Sequence, residues 1–396
     1  MSALDGIRVL DLGTFIAGPY CATILGEFGA EVIKVEPPEV GDSLRRLGTN
    51  TECGDSLLWL TESRNKKCIT LNLKEERGRE LLRQLAAKCD VIVENFRPGT
   101  LEKWGLGYDA LKAINPRAVL VRISAYGQDG PMRTEPGFAR IAHAFSGLAY
   151  LSGEPGRLPV VPGSTSLADY MSGMYGAIGA LIALRARDVT GEGQCVDLAL
   201  YESVFRVLDE IVPAYQQSGY VRERAGADTV NVCPHSHYQT RNSKWVAIAC
   251  SNDEMFRRLA DAMQQPELAS STRFGHRDLR LGARDEVNRI VAEWVLSLDL
   301  DEVLARCKKF GAPASLIYSI ADIFEDPQYR ARGNIRTTES RIGDLAVPEV
   351  VPRLSATPGE IRWLGEGLGS QNAEIFKDLL GLNGDDLGAL RQQGII

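Results

Sequence analysis

Asp169 is the residue with the clearest chemical opportunity. It stands in Ser166-Leu167-Ala168-Asp169-Tyr170-Met171-Ser172-Gly173, where a loop turns into a mostly apolar helix. That is the position of an N-cap, and a carboxylate there is favoured by the helix N-terminus. Position alone is compatible with a purely structural cap. The same geometry suits a nucleophile, because Ala168, Ser172 and Gly173 are small enough to let a bulky substrate approach. An aspartate of ordinary pKa, about 3.9, is charged at neutral pH but is a weak nucleophile. It would depend on positioning and on donors for a developing oxyanion. The usual signatures of nucleotide and hydrolase chemistry are missing. The loop Gly13-Thr14-Phe15-Ile16-Ala17-Gly18-Pro19 lacks G-x-G-x-x-G, and neither G-x-x-x-x-G-K-[ST] nor G-x-S-x-G occurs. Gly18-Pro19 reads as a helix start, either offering free N–H groups to a phosphate or packed in the interior.

The elements that must position these residues alternate in the first half of the chain. Residues 7–12, 31–36, 67–73, 90–94 and 118–124 read as strands, and 19–29 and 75–88 as helices. Strands separated by helices imply a parallel sheet covered on both faces, which binds ligands at the carboxyl ends of its strands. A helix from Asp169 to about Arg187, ended by Gly191-Glu192-Gly193, leads to a strand at 194–200. Beyond Gly219 the texture changes. A polar stretch, Asn231–Gln239, precedes a strand at 244–249 and amphipathic helices at 253–264, 285–297 and 301–310. A β-rich piece (333–354) and a last helix, Asn372–Leu380, follow. The expected fold class is α/β: a doubly wound, Rossmann-like large domain (1–215, joined by 326–396) plus a smaller α+β domain (216–325).

The chain has 396 residues, 44% of them hydrophobic and 24% charged, which suits two globular domains and excludes disordered, collagen-like and coiled-coil chains. A net charge of −7 argues against a nucleic-acid or anionic membrane partner. The eight cysteines are scattered and there are only four histidines, so no zinc pattern emerges and the thiols read as reduced. The N-terminus does not read as a signal peptide. The longest apolar tract, Met174–Leu184, is shorter than the about 20 residues that span a bilayer. A cytoplasmic location is expected.

Nine ordered stretches then carry a resemblance: LDGIRVLDLGTFIAGP (4–19), LGEFGAEVIKVE (25–36), GDSLR (41–45), RNKKCITLNLK (64–74), DVIVENFRPGTLEKWG (90–105), 115–131, 167–173, TGEGQCVDLAL (190–200) and 245–249. Together they resemble the class III CoA-transferase family, which includes formyl-CoA:oxalate, carnitine and dicarboxylate CoA-transferases. The resemblance covers essentially the whole chain. It implies an interlocked homodimer, no prosthetic group, and coenzyme A and acyl-CoA as substrates. It also implies that Asp169 is the nucleophile, forming a mixed anhydride and then an aspartyl-CoA thioester. Phe15, Ile16 and Ala17 match the loop lining the CoA cleft. Asn95, Phe96, Lys103 and Lys74 match CoA-contacting positions, although a lysine at 74 or 103 is equally at home on a solvated surface. Arg45 lies in the matching GD-x-x-R segment, where either a phosphate contact or a surface ion pair is expected. Pro37 and Pro38 stand where some relatives have arginine, so one phosphate contact is lost or moved.

Among related acyl-CoA racemases a histidine follows the GQDGP turn, but here that place reads Gly137-Phe138-Ala139-Arg140. Phe138 cannot take a Cα proton, and His143, one turn on, reads as a core or surface residue. The racemase or epimerase reading is therefore the alternative, and a silent CoA-binding module a third. Arg140 is a candidate for the distal carboxylate of a dicarboxylic acid or else a structural ion pair. The relatives' glycine-rich lid has no counterpart; His235 and His237 stand in the polar stretch there, as substrate contacts or merely as loop residues. The expected reaction moves CoA from succinyl-CoA to a small dicarboxylate such as malate, citramalate or mesaconate.

Overall fold

The computed structural model describes residues 2–396. Six strands form one parallel sheet: β1 (Arg8–Asp11), β2 (Glu31–Glu36), β3 (Lys66–Thr70), β4 (Val91–Glu94), β5 (Val119–Ser124) and β6 (Cys195–Ala199). Their order is β3-β2-β1-β4-β5-β6, every pair parallel. The direction of winding reverses between β1 and β4, and a crevice opens there at the carboxyl ends. This is the doubly wound α/β sheet expected from the sequence. Side chains alternate between two cores, as a strand period of two demands. Val9, Val32, Val91 and Val121 face the helices α1 (Ala17–Glu27), α4 (Leu167–Thr190) and α5 (Leu200–Phe205). Leu10, Ile33, Ile69 and Ile92 face α2 (Glu76–Ala86). A short helix, α3 (Ala139–Phe145), joins the first of these cores through Ala139 and Ala142.

The chain divides into two compact units. One contains the sheet and comprises the segments up to Ala149, Val161–Ile211 and Ala331–Ile396; the other comprises Tyr150–Val160 and Val212–Arg330. The second unit is α+β. The antiparallel strands β7 (His235–Gln239), β8 (Trp245–Ala249) and β9 (Ala314–Leu316) pack with α6 (Asp253–Ala262), α7 (Arg284–Leu296) and α8 (Leu300–Phe310) around Phe256, Trp294 and Val303. The polar stretch that sequence alone left without regular structure is thus in part a strand. Ser236 and Tyr238 turn inward while His237 and Gln239 turn out, so the alternation holds although its apolar content is low. After this unit come the hairpin β10 (Ile335–Ser340) and β11 (Gly343–Pro348), then α9 (Asn372–Leu380) and a further helix, α10 (Gly384–Gln392), that the sequence reading lacked. Phe376 and Leu390 of these helices close the α2 side of the sheet.

Helix α4 carries Asp169, and its small residues decide where it lies. A Cβ on Gly173 would stand 2.9 Å from both the Ala17 carbonyl oxygen and Tyr20 Cδ1, and one on Gly176 would stand 3.0 Å from Ile123 Cδ1. With Ala177 and Ala180 also buried, this stripe lets α4 press against α1 and β5. At the other end Arg187 pairs with Asp90 at 2.7 Å, beside the start of β4. Among the described residues, α4 is the one helix long and apolar enough, by length and composition, to cross a bilayer. Here one face is packed on the sheet unit, and Met174, Ile178, Leu181 and Ile182 remain exposed on the other.

Replacing Gly173 by valine should force α1 and α4 apart. An overpacking cost of about 1–3 kcal/mol is expected, read as a lower denaturant midpoint with the slope unchanged. Because Asp169 is one turn away, turnover should fall further than stability alone explains. A variant with wild-type stability and turnover would remove this account of the helix crossing.

Candidate active site

A cavity of about 270 Å³ opens at the carboxyl ends of β1, β4 and β5, lined among others by Phe15, Ile16, Ala17, Asn95, Phe96, Phe138 and Asp169. These seven are all sequence-predicted site residues, brought together from four separate chain segments. Asp169 is not the N-cap of α4. Ser166 holds that position and Asp169 is the third helical residue, half-buried in the first turn. The shift arises because the helix begins at Leu167, ahead of the sequence boundary. Burial alone pushes the Asp169 carboxyl up to about 6, well above the value assumed for an ordinary aspartate. A carboxylate of that basicity is a stronger nucleophile while still mostly ionised at pH 7.

The loop between β1 and α1 forms the wall opposite. Phe15 has φ +60°, a left-handed conformation that costs a non-glycine residue roughly 1–3 kcal/mol. Three contacts over-determine it. Asn95 accepts the Thr14 N–H at 2.7 Å and donates its amide to the Thr14 carbonyl oxygen at 2.8 Å. Asp42 Oδ1 accepts the Phe15 N–H at 3.0 Å. The Phe15 ring meets that of Phe138 edge-on, 6.1 Å between centroids. Helix α1 then starts at Ala17, before the expected Gly18-Pro19, and the first-turn N–H groups of a helix have no intrahelical acceptor. Ile16 and Ala17 present this turn to the cavity.

Beneath the loop lies a buried lattice of charge. Lys34 Nζ, on β2, reaches Asp42 Oδ2 at 2.9 Å and Asp11 Oδ1 at 3.8 Å, and donates to the Gly13 carbonyl oxygen. Lys66 Nζ, on β3, reaches Asp11 Oδ2 at 2.9 Å and the Pro19 carbonyl oxygen at 2.7 Å. Burial works against the Lys34 ammonium, but Asp11, Asp42 and Glu36 outweigh it and hold its pKa above the ordinary lysine value. Arg45 belongs to this lattice and does not line the cavity. Its guanidinium grips Glu36 through two 2.7 Å hydrogen bonds, reaches Asp55 at 2.9 Å, and stacks 3.7 Å from the Trp59 ring centroid. Of the two roles expected of Arg45, the ion pair is the one formed, buried and not on the surface, and a guanidinium with both forks occupied has little left for a phosphate.

Two further cavities are linked to the first by shared lining residues. One of about 130 Å³ shares Thr14 and Phe96 with it and adds Leu71, Asn72, Leu73, Lys74 and Trp104. The next, about 660 Å³, shares Pro37, Asn72 and Lys74 and adds Arg391 from α10. Lys74 therefore faces the cleft. Lys103 is exposed at the end of the short helix Thr100–Lys103 and lies outside these three cavities. Arg391 was missed by sequence reasoning; it lines the same cavity as Pro37 and Pro38, where some relatives have arginine, but lies some 350 residues away in sequence. Arg140 is exposed and lines a separate small cavity. His143 was read as a core or surface residue, and it is a core one with a specific bond: its Nε2 accepts the Ala168 N–H at 3.0 Å. His235 and His237 belong to the other unit, on β7.

Comparisons with known proteins agree with this geometry. A family model described as CoA-transferase family III matches residues 4–372. The beta subunit of succinyl-CoA–L-malate CoA-transferase from Chloroflexus aurantiacus is 54% identical over 396 residues, covering 99% of this chain and 98% of that protein. Succinyl-CoA–D-citramalate CoA-transferase of the same organism is 42% identical, over 99% and 98%. Among solved structures, a CAIB/BAIF family protein from Brucella suis superposes with a TM-score of 0.84 at 33% identity, over 96% of this chain and 99% of that one.

The raised Asp169 pKa sets a stability test. Its folded value lies above its unfolded value, so its stabilising contribution is full below about pH 4 and is lost as pH rises through about 6. Asp169→Asn, neutral throughout, should therefore be more stable than wild type at pH 8, by on the order of 2–3 kcal/mol. That advantage should vanish by pH 4, as followed by urea unfolding at both pH values. Equal stability at pH 8 would mean that the carboxylate is better solvated than its surroundings indicate.

Proposed function

From the premise that this chain belongs to CoA-transferase family III, we propose that it moves CoA from succinyl-CoA to a small dicarboxylate or hydroxy-dicarboxylate, with malate, citramalate and mesaconate as acceptors. The observation that carries the reading is the desolvated Asp169 carboxylate in a cavity that shares Thr14 and Phe96 with a second, which in turn shares Lys74 with a third holding Arg391. The relatives named for succinyl-CoA, malate and citramalate support the choice of acids.

In the proposed reaction the Asp169 carboxylate attacks the thioester carbonyl of succinyl-CoA and the CoA thiolate leaves, which forms an aspartyl–succinyl anhydride. The thiolate attacks the aspartyl carbonyl, releasing succinate and leaving an aspartyl-CoA thioester. The acceptor carboxylate attacks that thioester, a second anhydride forms, and the thiolate then takes the acceptor acyl group and frees Asp169. Each step exchanges an acyl group between two leaving groups of moderate basicity. The first turn of α1, which begins at the cavity-lining Ala17, would supply N–H donors for the tetrahedral oxyanions. Phe15, Ile16, Ala17, Asn95 and Phe96 would line the thioester arm, with Lys74 and Arg391 meeting its phosphates.

The reading includes a cytoplasmic, interlocked homodimer. The exposed apolar side of α4, with Ile182 64% exposed, supports a subunit partner there, and relatives named as alpha and beta subunits support an oligomer without saying whether it is made of identical chains. Incubation with succinyl-CoA followed by hydroxylamine should leave a hydroxamate on Asp169, located by peptide mass spectrometry, and none in Asp169→Asn. Transfer to malate by the wild type without any trapped adduct would count against the covalent route.

A further inference from the structure

The small cavity that holds Arg140 has a composition the reaction above does not use. It encloses about 240 Å³ between the first turn of α3 and the residues leading into α4, and is lined by Arg140, His143, Ser164, Thr165 and Ser166. It adjoins the Asp169 cavity along the chain: Gly137 and Phe138 line the one, Ala139 and Arg140 the other. Every polar side chain in it can donate a hydrogen bond, and no acidic residue lines it.

His143 is the telling group. It is only 2% exposed, and its Nε2 accepts the Ala168 N–H. That nitrogen therefore carries no proton, and the ring proton sits on Nδ1. Nδ1 is buried and has no hydrogen-bond partner. A buried N–H donor without an acceptor is costly and uncommon, which points to an acceptor supplied from outside the chain. The same place is the N-terminus of a 24-residue helix whose N-cap, Ser166, makes no side-chain capping bond. An anion is favoured there by the helix dipole, although the Ala168 N–H is held by His143 and the Asp169 N–H by the Ser166 carbonyl oxygen. Arg140 adds a full positive charge close enough to oppose protonation of His143.

We propose that this cavity is a carboxylate pocket, which takes the remote carboxylate of the dicarboxylic acid while the other carboxyl group reacts at Asp169. Arg140, the His143 Nδ1–H and the hydroxyls of Ser164, Thr165 and Ser166 are the donors. Ser166 and Asp169 are three residues apart, about 4.5 Å of helix axis, a separation that a four-carbon diacid spans. The pocket makes the enzyme selective for dicarboxylates over monocarboxylates. The proposal rests on the CoA-transferase reading with dicarboxylate substrates.

The test compares wild type, Arg140→Gln and Arg140→Lys with malate and butyrate as acceptors, and measures the Kd of free CoA for each by calorimetry. Arg140 is exposed, so both variants should fold. Arg140→Gln is expected to raise the KM for malate at least tenfold with the Kd for CoA unchanged, and Arg140→Lys to recover most of the loss. Any activity with butyrate should be untouched by either change. A KM for malate within twofold of wild type in Arg140→Gln, or an equal loss for malate and butyrate, would overturn the pocket while leaving the transferase reading intact. A wild-type enzyme that uses no dicarboxylate would overturn the dicarboxylate reading, and the pocket with it.

Discussion

The ammonium group of Lys34, buried on β2, meets the carboxylates of Asp42 and Asp11 and the Gly13 carbonyl oxygen, and so ties the end of β1 and the turn at Asp42 to β2. Asp42 in turn holds the N–H of Phe15, and Asp11 the N–H of Gly13 at 3.0 Å. The course of the chain from β1 into α1 is set by these contacts. Four acids (Asp11, Glu36, Asp42, Asp55) and four bases (Lys34, Arg45, Lys66, Arg341) pair in two groups joined where Glu36 accepts the Asp42 N–H at 2.8 Å, so their charges balance, with only the Arg341 side chain partly open to solvent. Removing one member would leave its partner buried and uncompensated, at a cost of about 3–5 kcal/mol. A hydrophobic substitute would pack as well but would not aim a backbone. That is the reason to place charge in the interior here: it holds Phe15 in a left-handed conformation and presents the α1 N-terminus to the cavity.

Asp169 is placed by the opposite means. No cation approaches it closely enough to lower its pKa, and burial alone raises it. The nucleophile thus sits on a helix positioned by close apolar packing, while the wall it faces is positioned by paired charge. The two meet at Gly173, where only the missing Cβ allows α4 to touch Ala17. A carboxylate kept basic by desolvation beside donors kept rigid by an ion lattice suits acyl transfer, because neither side must reorganise as charge moves to the oxyanion.

The sheet was legible in the sequence because its strands are β-branched runs set off by glycine and by helical periodicity. Asp169, Asn95 and the Phe15–Ala17 loop were legible too, through residue type and the family resemblance. Partners of buried charges were not. The alternating EVIKVE of β2 looks like a strand with one wet face, yet Lys34 and Glu36 are buried and find their counter-ions in Asp42 and Arg45. For the same reason Arg45 looked like a ligand contact: Asp55 and the Trp59 ring that occupy it are unremarkable in a linear reading. The bond from His143 to Ala168 and the arrival of Arg391 beside Pro37 are likewise tertiary facts. The strand at His235–Gln239 was hidden by its polarity, since only two of its five side chains are buried.

The claim on which the rest stands is that the lattice fixes the Gly13–Ala17 loop before any substrate arrives. Amide hydrogen exchange at Phe15 in the ligand-free protein reads this directly. The account predicts strong protection of that N–H without CoA, and its loss in Asp42→Ala, which removes the acceptor. Rapid exchange at Phe15 in the free wild-type protein, with protection appearing only when CoA is added, would show that the substrate and not the buried charge builds the site.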